Sequence, residues 1–167
     1  CEGARFENSE GTALNAQRAR VTGSVFLRGV TATGEVSLSG AGIGGQLSCN
    51  GARFENSEDT ALNAQKMEAD EFYWREVQAV SGAVDLNGAK VGDLVDDAAS
   101  WEKVGHLHLN GFRYDHIAGP VNVRMRLGWV AKDAATANEF RPQPYEQLAQ
   151  VFREMGHDGD RRTVLIE

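Results

Sequence analysis

The strongest constraint on this chain is that it repeats itself. Residues 1–17 read CEGARFENSEGTALNAQ and residues 49–65 read CNGARFENSEDTALNAQ, so 15 of 17 positions are identical at an offset of 48. Identity on that scale marks a duplicated unit and points to architectures that stack equivalent units. A finer period runs between the copies: SVFLRGVTATG, EVSLSGAGIGG and QLSCNGARFEN begin at residues 24, 35 and 46, a step of 11. Each unit places apolar or small residues at four positions. These are Val25, Leu27, Val30 and Ala32; Val36, Leu38, Ala41 and Ile43; and Leu47, Cys49, Ala52 and Phe54, with spacings of 2, 3, 2 and then 4. A spacing of two keeps side chains on one face of an extended segment. A helix needs threes and fours throughout, and a flat sheet has no use for the odd steps, which therefore mark corners. Glycine occupies those corners, at Gly29, Gly34, Gly40, Gly45 and Gly51, where backbone angles are unusual.

The pattern predicts a solenoid of very short strands, each coil hydrogen-bonded to the next. Two faces per 11 residues make a four-sided coil of about 22. The 48-residue period is three units of 11 plus one of 15, and the four additional residues fall in Glu-Asn-Ser-Glu at 7–10 and 55–58, polar enough for a protruding loop. The frame blurs after the second copy, where Phe72, Trp74 and Val77 keep the spacing but one residue is inserted before Val84. It returns in Val84, Leu86, Ala89 and Val91, breaks across residues 96–101, and resumes with Leu107, Leu109, Phe112 and Tyr114 inward.

These faces resemble those of bacterial pentapeptide-repeat proteins. The resemblance implies a mainly β fold, a right-handed quadrilateral β-helix with a C-terminal α-helical cap. More narrowly, GARFEN, ALNAQ, SVFLRG and GEVSLSGAGIGGQLSC, followed by PQPYEQLAQVFREMGHDGDRR, resemble a group of actinobacterial-type proteins usually labelled "membrane-associated oxidoreductase". That likeness implies a larger, membrane-associated protein with hydrophobic segments outside the residues seen here, this part being cytoplasmic.

The sequence divides into a repeat domain at 1–117 and a helical cap at 118–167, where all 3 prolines lie. Pro120 suits a first helical turn, with Val123, Leu127 and Val130 on one face; an alternating reading through Val121, Val123, Met125 and Leu127 stays open. Pro144 starts a second helix along Tyr145, Leu148, Phe152 and Met155, ended by Gly156. Asp158 or Asp160 would cap a last short helix through Val164 and Leu165. A lone helical hairpin cannot hold itself together, so these helices read as the end cap a solenoid needs.

Seventeen basic and twenty-four acidic residues leave a net charge of −7, which argues against direct nucleic-acid binding. No apolar window reaches membrane-spanning length. Gly40–Gly45 matches GxGxxG, but a β unit follows where a dinucleotide site needs a helix, so no cofactor is expected. Cys1 and Cys49 hold equivalent inward positions two coils apart, roughly 9–10 Å at the inter-strand spacing and beyond disulfide reach. Two buried, reduced thiols are predicted. His106 and His108 share an outward face and could ligate a metal with Asp96 or Asp97, although exposed histidines are more often plain surface. The P-loop, GxSxG and HExxH motifs are missing, and no catalytic residue is assigned.

Arg141, Arg153, Arg161 and Arg162, with Tyr145 on the same tail, are the candidate interaction residues, suited to an acidic partner or anionic lipid. The start in mid-repeat predicts further coils upstream, and an unpaired coil edge would invite end-to-end association of copies. The expected function is a non-enzymatic scaffold that binds a protein partner. The alternatives are an oxidoreductase, as the group label implies, or, as the resemblance to pentapeptide-repeat proteins implies, an acidic mimic of DNA that inhibits a DNA-binding enzyme such as gyrase.

Overall fold

The computed structural model describes residues 1–166. Each strand straddles the junction of two 11-residue units and bends at the corner there, as in β4 (Thr31–Ser37) and β5 (Gly42–Ser48). Before them come β1 (Arg5–Asn15), β2 (Arg20–Val21) and β3 (Val25–Phe26); after them, β6 (Arg53–Asn63), β7 (Glu68–Trp74), β8 (Ala79–Asp85), β9 (Lys90–Asp96), β10 (His106–His108) and β11 (Arg113–Ile117). The strands pair in parallel in two sheets, ordered β1-β4-β6-β8-β10 and β11-β9-β7-β5-β2, with β3 also on β5. The product is a mainly β solenoid of about five turns, followed by helices.

The lining follows the eleven-residue frame. Of the twelve inward positions in the three clearest units, Val25 alone is half-buried; the rest are buried, as are Val84, Leu86, Ala89, Val91, Leu107, Leu109, Phe112 and Tyr114. Tight turns join the faces, such as Leu38–Ala41, whose terminal N–H donates back to the Leu38 carbonyl at 3.0 Å with Gly40 at φ +67. Gly45 is a glycine for a different reason: its φ is ordinary, and an added Cβ would sit 2.5 Å from Ser24 Oγ of the preceding coil.

The polar insertion differs from its prediction. It is an outward bulge inside a continuous strand. Thr31 pairs with Arg53, 22 residues on, whereas Val36 pairs with Leu62, 26 on, so β6 carries four residues more than its neighbour. Asn8 Nδ2 closes one bulge onto the Thr12 carbonyl at 3.2 Å, and Asn56 closes the other onto Thr60 at 2.9 Å. The coil therefore alternates between a long and a short form, which is why the exact repeat spans two coils.

The cysteine expectation needs correction. Both thiols are free, but Cys49 is buried and Cys1 is exposed. Equivalent positions in the repeat are not equivalent in burial, because burial requires a coil on either side, and Cys1 has one only on its C-terminal side. Burial pushes the Cys49 thiol far above its ordinary range. One thiol per chain is therefore expected to react with Ellman's reagent under native conditions and the second only on unfolding; two fast-reacting thiols would contradict this.

The break at residues 96–101 is a short helix, α1 (Ala98–Glu102), whose N-cap Asp97 accepts the Ser100 N–H at 2.6 Å. Burial alone would raise the Asp97 carboxyl, but hydrogen bonds from Ser100 and Glu76, with Lys103 nearby, outweigh it and hold it below the usual range. Trp101 on this helix continues an aromatic column running from Phe54 through Trp74 to Trp129, with successive centroids 5.8, 5.2 and 5.5 Å apart.

Three helices follow: α2 (Val123–Ala137), α3 (Pro142–Glu154) and α4 (Asp158–Val164). The helical reading of the first is right and the alternating one is not, but its face was misassigned. Asn122 caps α2, and the buried stripe is Arg126, Trp129, Val130 and Asp133, with Val123 and Leu127 only half-buried. In α3, Leu148 and Phe152 are buried as predicted, and the end is a Schellman motif: Gly156 N–H donates to Arg153 O at 3.1 Å and His157 N–H to Phe152 O at 2.7 Å. The cap of α4 is His157, without a side-chain hydrogen bond; Asp158 and Asp160 sit inside its first turn, and Leu165 is exposed beyond it.

Candidate interaction surface

A solenoid's last coil leaves a row of backbone groups without a next strand, and here α2 and α3 satisfy them with side chains. Thr136 Oγ1 accepts from Leu107 N–H at 2.9 Å, Asp133 Oδ1 from Leu109 N–H at 2.6 Å, and Gln143 Oε1 from Gly111 N–H at 2.7 Å. Gln147 Nε2 donates to the Tyr114 carbonyl at 2.7 Å. Lys132 Nζ donates to the carbonyls of Trp101 and Val104 at the end of α1, and desolvation there holds its ammonium below the usual lysine range despite Glu102.

The fastening point is ionic. Both oxygens of Asp96 accept from Arg126, at 2.6 and 2.7 Å, and Trp101 Nε1 donates to one of them at 2.6 Å. Both charged side chains are 0% exposed. Sequence reading missed Arg126 and Asp133 because a charge inside a helical pattern is normally assigned to the wet face. The available signal was their placement on the same face as Trp129 and Val130.

These contacts dissolve the metal candidate set. Asp96 faces the interior and is engaged with Arg126, Asp97 caps α1 and also accepts Glu76 N–H at 2.7 Å, His106 is exposed and His108 half-buried. Among the described residues no three His, Cys, Asp or Glu side chains are grouped to hold a metal ion. Gly40–Gly45 lies in a turn and in β5, which runs on to Ser48 without opening a helix.

Four of the five candidate interaction residues fall into two groups, and Arg162 belongs to neither. Arg141 and Tyr145 belong to the α2–α3 corner. Arg141 stands at the N-cap position of α3 without a side-chain cap bond and lies 3.7 Å from Glu139 and 4.0 Å from Asp133, while the Tyr145 ring packs on Phe140, which is 64% exposed, at 5.4 Å. Arg153 and Arg161 border a cleft of about 300 Å³ between α3 and α4, with Leu165 at its edge. Arg162 is exposed on α4.

A second surface was not foreseen. A groove of about 510 Å³ runs along one outer face of the solenoid, floored in part by Gly42, Gly44 and Gly92 and flanked by Arg20, Glu68, Asp70, Lys90 and Asp115. The register stacks Arg20, Gly42, Glu68 and Lys90 in one ladder, so the face carries both signs of charge. No helix among the described residues is long and apolar enough to cross a membrane. Compared with family models, with curated proteins and with solved structures, the chain matches none of them.

Proposed function

We propose that this chain is a protein-binding scaffold, in which a rigid solenoid holds its outer faces and C-terminal helices against another protein. The observation that carries this reading is the division of α3 into two faces. Pro144, Leu148, Val151 and Phe152 are buried and Gln143 and Gln147 hold the last coil, while Arg153 turns away and, with Arg161 and the half-exposed Leu165, borders the cleft against α4. A basic rim beside apolar surface suits an acidic protein segment carrying an apolar side chain. The solenoid axis is filled by one continuous apolar cluster, so its recognition chemistry lies outside. The oxidoreductase and DNA-mimic readings have less support, since the GxGxxG segment is turn and strand and the groove face mixes its charges. The wider proposal, that the chain is the non-spanning part of a larger membrane-associated bacterial protein, rests on the sequence resemblance.

Reversing the cleft charges tests the reading. The Arg153→Glu/Arg161→Glu variant should keep the wild-type melting temperature, because exposed charges contribute little to stability. It should lose co-purifying acidic protein from source cells by about tenfold or more, since rim charges govern encounter and register. Lys90→Glu, in the other groove, should leave that recovery unchanged. Equal recovery with the double variant would refute the cleft as the docking site.

A further inference from the structure

We infer that the outer groove is a docking site for an extended peptide segment in the polyproline II conformation, carrying an acidic and a basic side chain three residues apart. The basic side chain seats at Gly92 between Asp70 and Asp115, and the acidic one at Gly44 beside Arg20.

Coil register builds the floor of the groove. Val21, Ile43, Ala69, Val91 and Tyr114 pair in succession along this face, and the last four are buried. The residue after each points the other way, so Thr22, Gly44, Asp70, Gly92 and Asp115 form an outward column, and all five line the groove. Packing imposes the two glycines in that column. An added Cβ at Gly92 would stand 2.6 Å from the Asp70 carbonyl oxygen, and one at Gly44 would run into the Thr22 carbonyl oxygen. No side chain can fill these places, so the column carries two fixed dimples with the Asp70 coil between them. Two coil steps put the dimples about 9–10 Å apart.

The charges around the dimples differ. Gly92 lies between Asp70 and Asp115, one coil to either side, with Lys90 as the single like charge facing an incoming cation. Beside Gly44, Arg20 lays its guanidinium over Gly42, its Cζ 3.3 Å from where a Cβ would stand. Glu68 follows one coil after Gly42, so an anion reaches Arg20 from the Thr22 side. Within the described residues, Arg20, Glu68, Asp70, Lys90 and Asp115 make no ion pair or side-chain hydrogen bond with one another or with any other group. Their fields are free to select a ligand with a positive charge at one dimple and a negative charge at the other.

Spacing selects the backbone. In a β-strand, side chains return to one side every two residues, roughly 7 Å, which falls short of the dimple separation. Polyproline II returns after three residues and rises about 9 Å in doing so, which matches it. Strand addition would also need a free sheet edge, and here the backbone groups are already paired from coil to coil. A polyproline II segment needs no such partner and lies on a sheet face through its side chains.

The test titrates the purified chain into two fluorescein-labelled peptides of identical composition and follows anisotropy. In acetyl-Pro-Glu-Pro-Pro-Arg-Pro-amide the charges are three residues apart; in acetyl-Pro-Pro-Glu-Pro-Arg-Pro-amide they are two apart. The first should bind at least about tenfold more tightly, and more weakly as salt is raised. Asp70→Lys/Asp115→Lys should lose about tenfold or more for that peptide, and Arg20→Glu should reverse its preference in favour of acetyl-Pro-Arg-Pro-Pro-Arg-Pro-amide. Each variant's melting temperature reports that it is folded. The Arg153→Glu/Arg161→Glu variant should bind the peptide as wild type does, so this site and the α3–α4 cleft stand or fall separately. Equal affinity for the two spacings overturns the inference, as does no binding at protein concentrations on the order of 1 mM. So does a dimer of the chain alone that Asp70→Lys/Asp115→Lys abolishes, which would make a second copy the occupant.

Discussion

Arg126→Met is expected to destabilise the protein by about 3–5 kcal/mol, the usual loss when one partner of a buried ion pair is removed. Asp96 sits at 1% exposure and would keep only the Trp101 donor, leaving a carboxylate inside without a counter-charge. For a chain of this size each kcal/mol moves the midpoint by about 2–4 °C, so the melting temperature should fall by roughly 10 °C. The damage should be local first. With the pair gone, α2 loses its hold on the last coil, and hydrogen exchange at Leu107 and Leu109, whose N–H groups donate to Thr136 and Asp133, should accelerate before that of Leu38 or Leu47. Asp96→Asn combined with Arg126→Met should recover part of the loss, because the penalty of a stranded charge disappears even though the attraction is not restored. A midpoint within about 2 °C of wild type for Arg126→Met alone would show that the pair does not fasten the cap.

Gly82→Ala should cost about as much by an unrelated route. Gly82 has φ +97, a region a side chain occupies only under strain, and an added Cβ would fall against the Asn56 carbonyl oxygen and 2.5 Å from that of Asp59. Strain of about 1–3 kcal/mol and overpacking of about 1–3 kcal/mol together give about 2–6 kcal/mol. The clash is with backbone that arches from the coil below, so no rotamer change relieves it. Gly34→Ala makes the same kind of contact, 2.7 Å from the Gly11 carbonyl oxygen, but against the first coil. That coil is half-exposed and can give way, so its loss should be visibly smaller. Gly88→Ala is the control: φ is +69 and the nearest atom is the flexible Lys66 Cγ at 3.3 Å, for an expected cost of about 1–2 kcal/mol. Chemical denaturation of the three variants would check the order, and a Gly82→Ala loss no larger than that of Gly88→Ala would refute the packing argument.

These two sites mark the boundary of what the chain's letters disclose. Gly82 sits in a frame that was readable: Val84, Leu86 and Ala89 around it were assigned inward from spacing and are buried. The bulge it accommodates was located to the right residues but given the wrong form, because polarity reports exposure and not whether the backbone stays paired. Arg126 was not readable. It was passed over in favour of Val123 and Leu127, both of which stay half-buried. Of the candidate interaction residues, Arg153 and Arg161 proved to share a cleft, a juxtaposition that depends on the Schellman turn at Gly156 reversing the chain. The outer groove was not readable either, since Arg20, Glu68 and Lys90 lie far apart in the chain and meet only through coil register.

The sequence by itself determined the lining and the length of each coil. A strand's inside face is a local property, set by side-chain alternation and by where the corners fall, and a repeat states it several times over. Only the tertiary structure decided how the stack ends. The last coil's N–H and carbonyl groups needed partners, and those came from Asp133, Thr136, Gln143 and Gln147, 24 to 33 residues further on. A polar side chain becomes an interior residue when an unpaired backbone edge is brought against it, and that meeting is written in no local pattern.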